Sequence, residues 1–280
     1  MRLGGPVFLD SQDPTQLVKE HIRLGYRAAY CPSYLSMEDL GEVRKAEEAF
    51  AKQDVVIAEV GAWCNPLDPN PEKANKAREY IKTRLALADE IGARNCVNIL
   101  GSFNPNRWDG VHPLAYSDTF FEASVECYRD ILNAVNPKRT YMTFETMPYY
   151  ILDCPEEYIR LLKAIDHPRA ATHLDACNCV NSPKLLYNTK ELVERSFALL
   201  GATMRSCHLK DITLEDVGCT ALFREVQPGS GNFNLRALLS FAHAHPDRDL
   251  PVMIEHLPDE AAYTNAKDHV LGLMQELRIT

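Results

Sequence analysis

Four short apolar stretches in the second half of the sequence each end in a side chain that can bind a metal or move a proton. They read Tyr-Met-Thr-Phe-Glu145, Thr-His-Leu-Asp175, Arg-Ser-Cys-His208 and Val-Met-Ile-Glu255. Side chains alternate between two faces along an extended strand, so if these four share one face, Phe144, Leu174, Cys207 and Ile254 share the other. The second set is wholly apolar, as a face packed on helices requires. Three carboxylates and an imidazole converging on one point repel one another unless a cation holds them. Carboxylate-rich ligands with one histidine suit one hard or borderline divalent ion, Mn²⁺ foremost, with Mg²⁺ or Co²⁺ as alternatives. A single strand-end carboxylate could equally cap a helix. Four at matching positions on consecutive strands point to one metal site.

The elements that must position them alternate along the whole chain. Strand candidates fall at 6–9, 27–30, 55–60, 95–100, 141–146, 171–176, 205–209 and 252–257, with amphipathic helical segments between. Several helices carry start signals. Asp13–Pro14 and Asn70–Pro71 place a capping side chain before a proline at the first helical position. Ser36, with Asp39 three residues on, has the form of a capping box. Gly92 and Gly201 stand where a left-handed residue ends a helix, and Asn136–Pro137 closes another. Eight βα units in 280 residues match an α/β fold of the (β/α)8 TIM-barrel type, in which chemistry sits at the C-terminal strand ends. The first βα turn, LDSQDP, has no glycine-rich phosphate fingerprint, which counts against a doubly wound nucleotide-binding sheet. No linker or composition shift divides the chain, so a single domain over residues 1–280 is expected.

Composition narrows the function. Thirty basic against 39 acidic side chains give −9, the wrong sign for gripping nucleic-acid phosphates. No run of about 18 apolar residues is present, so no membrane span is expected. The N-terminus lacks the basic and apolar regions of a secretory signal, which makes the cytoplasm the expected location. Nine cysteines without any C-x-x-C pair exclude a zinc ribbon and predict reduced, mostly buried thiols.

The series FETMP, HLDACN, CHLKD, PGSGN and MIEHL, in that order, resembles the xylose isomerase-like TIM barrels, in the branch of sugar-phosphate isomerases and epimerases, ketose 3-epimerases and inosose dehydratases. The resemblance spans essentially the whole chain. It implies that Glu145, Asp175, His208 and Glu255 bind one divalent metal, and that the protein assembles as a dimer or tetramer. The sequence departs from the ketose epimerases at Asn178, where many of them carry a substrate-binding histidine. It departs from the DNA-repair endonucleases of the same superfamily at the ends of strands two to four, CPSYL, EVGAWCN and NILGSFNP, which hold no histidine.

A metal flanked by two glutamates suits an isomerase or epimerase acting on a sugar or sugar phosphate through a cis-enediolate. Glu145 and Glu255 would serve as the acid/base pair on its two faces. The alternative is a lyase, dehydrating a keto-inositol or decarboxylating a keto-sugar acid through the same enolate. A non-catalytic barrel that binds a sugar or a partner protein is the third reading. Besides Asn178, the expected substrate contacts are Lys210, which shares the parity of His208, Arg224 in the long loop after strand seven, and Trp63 and Trp108 as an apolar wall. Each has a structural counterpart, a rim lysine, an exposed loop arginine or a rim cover. His173 and Ser206 fall one layer below the ligands and read as satisfied core polar groups. His256 has the wrong parity for the mouth unless the backbone turns there.

Overall fold

The computed structural model describes residues 1–279. Among the described residues ten strands follow one another, β1 (Arg2–Gly4), β2 (Ala28–Tyr30), β3 (Val56–Gly61), β4 (Asn95–Asn98), β5 (Met142–Phe144), β6 (Ala170–Leu174), β7 (Met204–Leu209), β8 (Asp211–Asp216), β9 (Ala221–Val226) and β10 (Pro251–Ile254). Between and after them run the helices α1 (Pro14–Arg23), α2 (Leu40–Lys52), α3 (Pro71–Ile91), α4 (Asp118–Val135), α5 (Pro155–Ile165), α6 (Pro183–Leu186), α7 (Thr189–Leu200), α8 (Leu235–Ala244) and α9 (Glu260–Glu276). Strands β1 to β7 and β10 close into an all-parallel eight-stranded barrel, with β1 paired to both β2 and β10. The barrel expected from the eight βα units is therefore observed.

The outer face of the strands is packed as the alternation required. Phe144, fully buried, meets the ring of Tyr128 on α4 edge-on at 4.7 Å, and Tyr158 on α5 lies beyond at 6.4 Å. The Tyr158 hydroxyl accepts from the Phe144 and His173 backbone N–H groups, tying α5 to β5 and β6. With Phe144 fixed outward, the next residue, Glu145, turns toward the barrel mouth.

Some local signals act as written and others do not. Asp13 and Asn70 cap α1 and α3 through backbone N–H groups of Thr15, Glu72 and Lys73, each with proline at the first helical position. Gly92 and Asn136 end their helices in the left-handed conformation, φ 71° and 50°. The cap of α2 is Asp39, which accepts from the Glu42 N–H at 3.1 Å, while Ser36 accepts from Glu38 in the preceding turn. Gly201 is right-handed, φ −51° and ψ −41°, because α7 tightens there into a 3-10 turn instead of stopping.

The first strand is Arg2–Gly4 and not the 6–9 segment. Pro6 has no N–H to give a ladder, whereas Gly4 is required where it stands. A Cβ on Gly4 would lie 2.5 Å from both the Ala28 carbonyl oxygen and the Met253 sulfur. Pro6 instead lines the cavity at the C-terminal end of the barrel. The second departure lies after β7, where a long loop was expected. Two alternating runs, Asp211–Asp216 and Ala221–Val226, pair antiparallel into a hairpin around Gly218, whose φ of 81° needs glycine.

Candidate metal centre

Glu145, Asp175, His208 and Glu255 follow or end β5, β6, β7 and β10, and each offers a ligand atom within 4.8 Å of the others. Nδ1 of His208 lies 2.7 Å from Glu255 Oε1, 3.4 Å from Glu145 Oε1 and 3.8 Å from Asp175 Oδ2. The group is almost wholly removed from solvent, with Asp175 at 0% and Glu255, the most open, at 9% exposure.

The donor set fits a divalent ion by its orientation as well as by its chemistry. Asn178 donates through its backbone N–H to Asp175 Oδ1 and through its side chain to Glu145 Oε1, at 3.1 and 2.9 Å. Those bonds leave Asp175 Oδ2 without a hydrogen-bond partner, and Glu255 Oε1 is likewise without one. Both oxygens nonetheless face positive charge, so the place a divalent cation would take is already met in part by protein cations, His208 Nδ1 lying 2.7 Å from Glu255 Oε1. Lys210, the second residue after His208, sits 2.8 Å from each of these two oxygens, outside hydrogen-bonding alignment, and 3.5 Å from Glu145 and Glu225.

Electrostatics in this group are dominated by mutual compensation. Burial by itself would raise the Glu255 carboxyl, but the His208 and Lys210 cations outweigh it and hold it at about 2. Burial also opposes ionisation of Asp175, and Lys210 first, then His208, keeps it well below the usual carboxylate range. Burial would lower His208 and Lys210, and the surrounding carboxylates raise both far above their ordinary values.

Beneath this group lies a second polar layer. Glu59 of β3, 1% exposed, places Oε2 3.2 Å from His208 Nε2 and Oε1 3.3 Å from His173 Nδ1. His173 Nδ1 also meets Ser206 Oγ at 2.6 Å, and Asn95 donates to that same oxygen at 2.7 Å. His173 and Ser206 are thus part of the interior, as their parity predicted. Glu59 went unnoticed because strand alternation fails at this point. Ala58 packs inside the barrel with Ala28 and Met253, and the next residue, Glu59, reaches inside as well. The pairing of β2 with β3 slips by one residue between Ala29 and Tyr30 to accommodate it. Such irregularities re-aim side chains next to functional sites. The one sequence signal was a carboxylate inside the apolar run VVIAEVG.

Above the four candidate ligands opens a cavity of about 480 Å³. Trp63 and Trp108 line it, with Tyr30, Ile99, Met147 and Tyr263 as further apolar wall and Asp109, Glu145, Glu255 and His256 as polar groups. His256 reaches it because the backbone does turn, with φ at 58°. Its Nδ1 lies 3.0 Å from Glu225 of the hairpin, which brings β9 to the rim.

The expected substrate contacts therefore divide. Trp63 and Trp108 stand at the cavity, and Asn178 and Lys210 lie buried against the candidate ligands. Arg224 is not brought to the site; it pairs with Glu215 across the hairpin, its side chain 64% exposed. Arg107 is held by Asp109 at 2.6 Å, and Asn65 and Phe103 brace the loop after β4 against Ser102 and Phe120. The Gly229 and Gly231 N–H groups of the PGSG turn both bond Asp211 Oδ2 at 2.9 Å, so they are not free for a phosphate.

An eight-stranded parallel barrel with a cluster of possible metal ligands at the C-terminal strand ends defines a class of barrel enzymes and binding proteins. The chain belongs to the xylose isomerase-like TIM barrel family, whose profile matches residues 21–272. No curated protein matches it by sequence. Among solved structures it is similar to 3-keto-D-glucoside 4-epimerase from Escherichia coli, with a TM-score of 0.68 and 13% identity over 98% of this chain and 99% of that one. A probable 3-DHS dehydratase from Bacillus anthracis gives 0.69 and 15% over 97% and 98%. Endonuclease IV from Thermus thermophilus gives 0.69 and 15% over 99% and 100%. Three reactions on one backbone, at these identities, speak for the fold alone.

Proposed function

We propose that the protein is a divalent-metal-dependent sugar isomerase or epimerase, with Mn²⁺ as the first choice of ion and Mg²⁺ or Co²⁺ as the alternatives to test. One observation carries this reading. Of the four candidate ligands, Glu145 and Glu255 line the cavity, whereas Asp175 and His208 lie beneath it. Two of the candidate ligands are thus available to a substrate in a cavity walled mainly by tryptophan, isoleucine, methionine and tyrosine, with Asp109 and His256 as its other polar groups.

The ion, when bound, supplies Lewis-acid polarisation of a carbonyl and its neighbouring hydroxyl. Asp175 and His208 would hold it from below. One glutamate removes the proton from the carbon next to the carbonyl, and the other returns a proton to the opposite face of the planar enediolate. Asn178 keeps Glu145 in place through its side-chain amide. Trp63 and Trp108 offer flat apolar surface to the C–H faces of a sugar ring.

Among the described residues, the cavity lining includes no lysine or arginine. Arg107 beside it is committed to Asp109, and Lys210 beneath it to four carboxylates. A neutral ketose or keto-glycoside suits this lining better than a sugar phosphate.

The test is proton NMR of substrates incubated with Mn²⁺-activated protein in D₂O, the metal being removed before detection. Ketoses, ketose phosphates, inososes and keto-sugar acids form the panel, and Glu255→Gln is the control. Deuterium at one carbon of an isomerised neutral sugar, absent with the control, is the expected result. A product short of water or CO₂ moves the assignment to a lyase. Absence of exchange from the whole panel overturns the catalytic reading.

A further inference from the structure

The polar layer below the ligands has a use that the isomerase chemistry does not require by itself. We propose that Glu59 is a positioning residue. It accepts the Nε2–H of His208 and so leaves Nδ1 as the lone-pair atom directed at the metal. The inference rests on the reading of the upper cluster as a metal site.

The geometry is specific. His208 has one ring nitrogen on each side of the divide between the two layers. Nδ1 faces Glu255, Glu145 and Asp175, and Nε2 faces Glu59 at 3.2 Å. A neutral imidazole carries one proton, and which nitrogen holds it is set by the hydrogen bond the other partner offers. A carboxylate behind Nε2 keeps the proton there, and metal-bound histidines are commonly backed in this way. The ring plane is fixed too, since His173 meets His208 nearly edge-on, with centroids 4.0 Å apart and 73° between planes.

The second oxygen of Glu59 lies 3.3 Å from His173 Nδ1 without a hydrogen bond, that nitrogen instead meeting Ser206 Oγ, to which Asn95 donates. A carboxylate at 1% exposure in the middle of an apolar strand is costly to keep ionised. The slipped register of β2 on β3, which lets two successive residues face inward, exists where Glu59 is delivered. Among the described residues, Glu59 is not part of the cavity lining, so its effect on a substrate passes through His208.

The experiment measures Mn²⁺ binding to metal-stripped protein by the EPR signal of free Mn²⁺, for the wild type, Glu59→Ala, Glu59→Gln and Asp175→Asn. We expect one ion per wild-type chain and none on Asp175→Asn at comparable concentrations. Glu59→Ala should bind about 10–100-fold more weakly, and Glu59→Gln, whose carbonyl can still accept from Nε2–H, should recover most of that loss. In the Mg²⁺-loaded protein a slowly exchanging low-field resonance of the His208 Nε2 proton should appear for the wild type and Glu59→Gln, and vanish in Glu59→Ala. Unchanged Mn²⁺ affinity in Glu59→Ala overturns the proposal. So do Gln and Ala variants that fold normally and are equally weak. Two ions per wild-type chain would overturn it differently, by making Glu59 and His173 ligands of a second ion. A wild type that binds no Mn²⁺, Mg²⁺ or Co²⁺ would instead refute the metal reading on which the proposal stands.

Discussion

Lys210 Nζ lies 2.8 Å from Asp175 Oδ2, and it is the same distance from Glu255 Oε1. A lysine 3% exposed thereby bridges two of the four candidate ligands, with a third, Glu145, at 3.5 Å. Its position explains how so many carboxylates can be buried together, since each charge removed from water needs a compensating partner.

Replacing Lys210 by methionine should therefore destabilise the metal-stripped protein by about 3–5 kcal/mol, the usual effect of removing one partner from a buried pair. Divalent ions should then raise the melting temperature of the variant more than that of the wild type, because the ion supplies the missing positive charge. Urea unfolding with and without Mn²⁺ measures both quantities. Equal stability of the metal-free variant and wild type would show that the ammonium is not the balancing charge.

The tryptophans make a different prediction. Trp63 and Trp108 are 41% and 42% exposed at the cavity, so truncating them removes little core packing. Trp63→Ala and Trp108→Ala should each raise KM for a neutral sugar about tenfold, roughly 1.4 kcal/mol, while the melting temperature barely moves. Gly61→Ala should act on the same wall, because a Cβ there would lie 2.5 Å from Trp63 Nε1 and force the indole aside. Steady-state kinetics on all three variants check this, and a fall in kcat without a change in KM would place the rings elsewhere in the reaction.

Much of this site could be read from residue order, and the reasons are physical. Glu145, Asp175 and Glu255 directly follow short strands and His208 lies near the end of another, so parity counted back from the strand ends put them on one face and Phe144 on the other. Asp13 and Asn70 cap helices through contacts only two or three residues long, which a sequence shows directly. Glu59 and Arg224 show where such reading stops. Glu59 depends on a register slip between neighbouring strands, and strand pairing is not a local property. Arg224 depends on the β8–β9 hairpin, whose alternating runs lie outside the barrel count and place the guanidinium on Glu215. Ser36 and Gly201 failed for a smaller reason, each having a competing turn one to three residues away.

Because of that placement, Arg224→Ala should leave kcat and KM within about twofold of wild type, since an exposed, solvent-screened ion pair contributes little. The hairpin residue that does approach the site is Glu225, 3.0 Å from His256 and 3.5 Å from Lys210. Parallel assays of Arg224→Ala and Glu225→Ala test the contrast, with the larger effect expected from Glu225.

His21, far from the mouth, gives the pH prediction. It lies on the last turn of α1, 4% exposed, edge-on to Phe50 at 5.7 Å, with Nδ1 donating to the Leu17 carbonyl. Burial lowers its pKa from 6.5, against the smaller raising effects of the Leu17 carbonyl and Glu20. A group depressed in the folded state favours folding above its unfolded value, because there both states are neutral. As pH falls below about 6.5, the unfolded chain takes up a proton that the folded chain resists, and stability is lost as pH falls through the folded pKa. Wild-type protein should consequently lose more melting temperature between pH 7.5 and pH 5.5, taken as about two units spanning that window, than His21→Leu does. Other titrating groups are common to both proteins and cancel in the difference. Calorimetry at the two pH values decides it: identical losses would mean that His21 accepts its proton in the folded barrel as readily as in water.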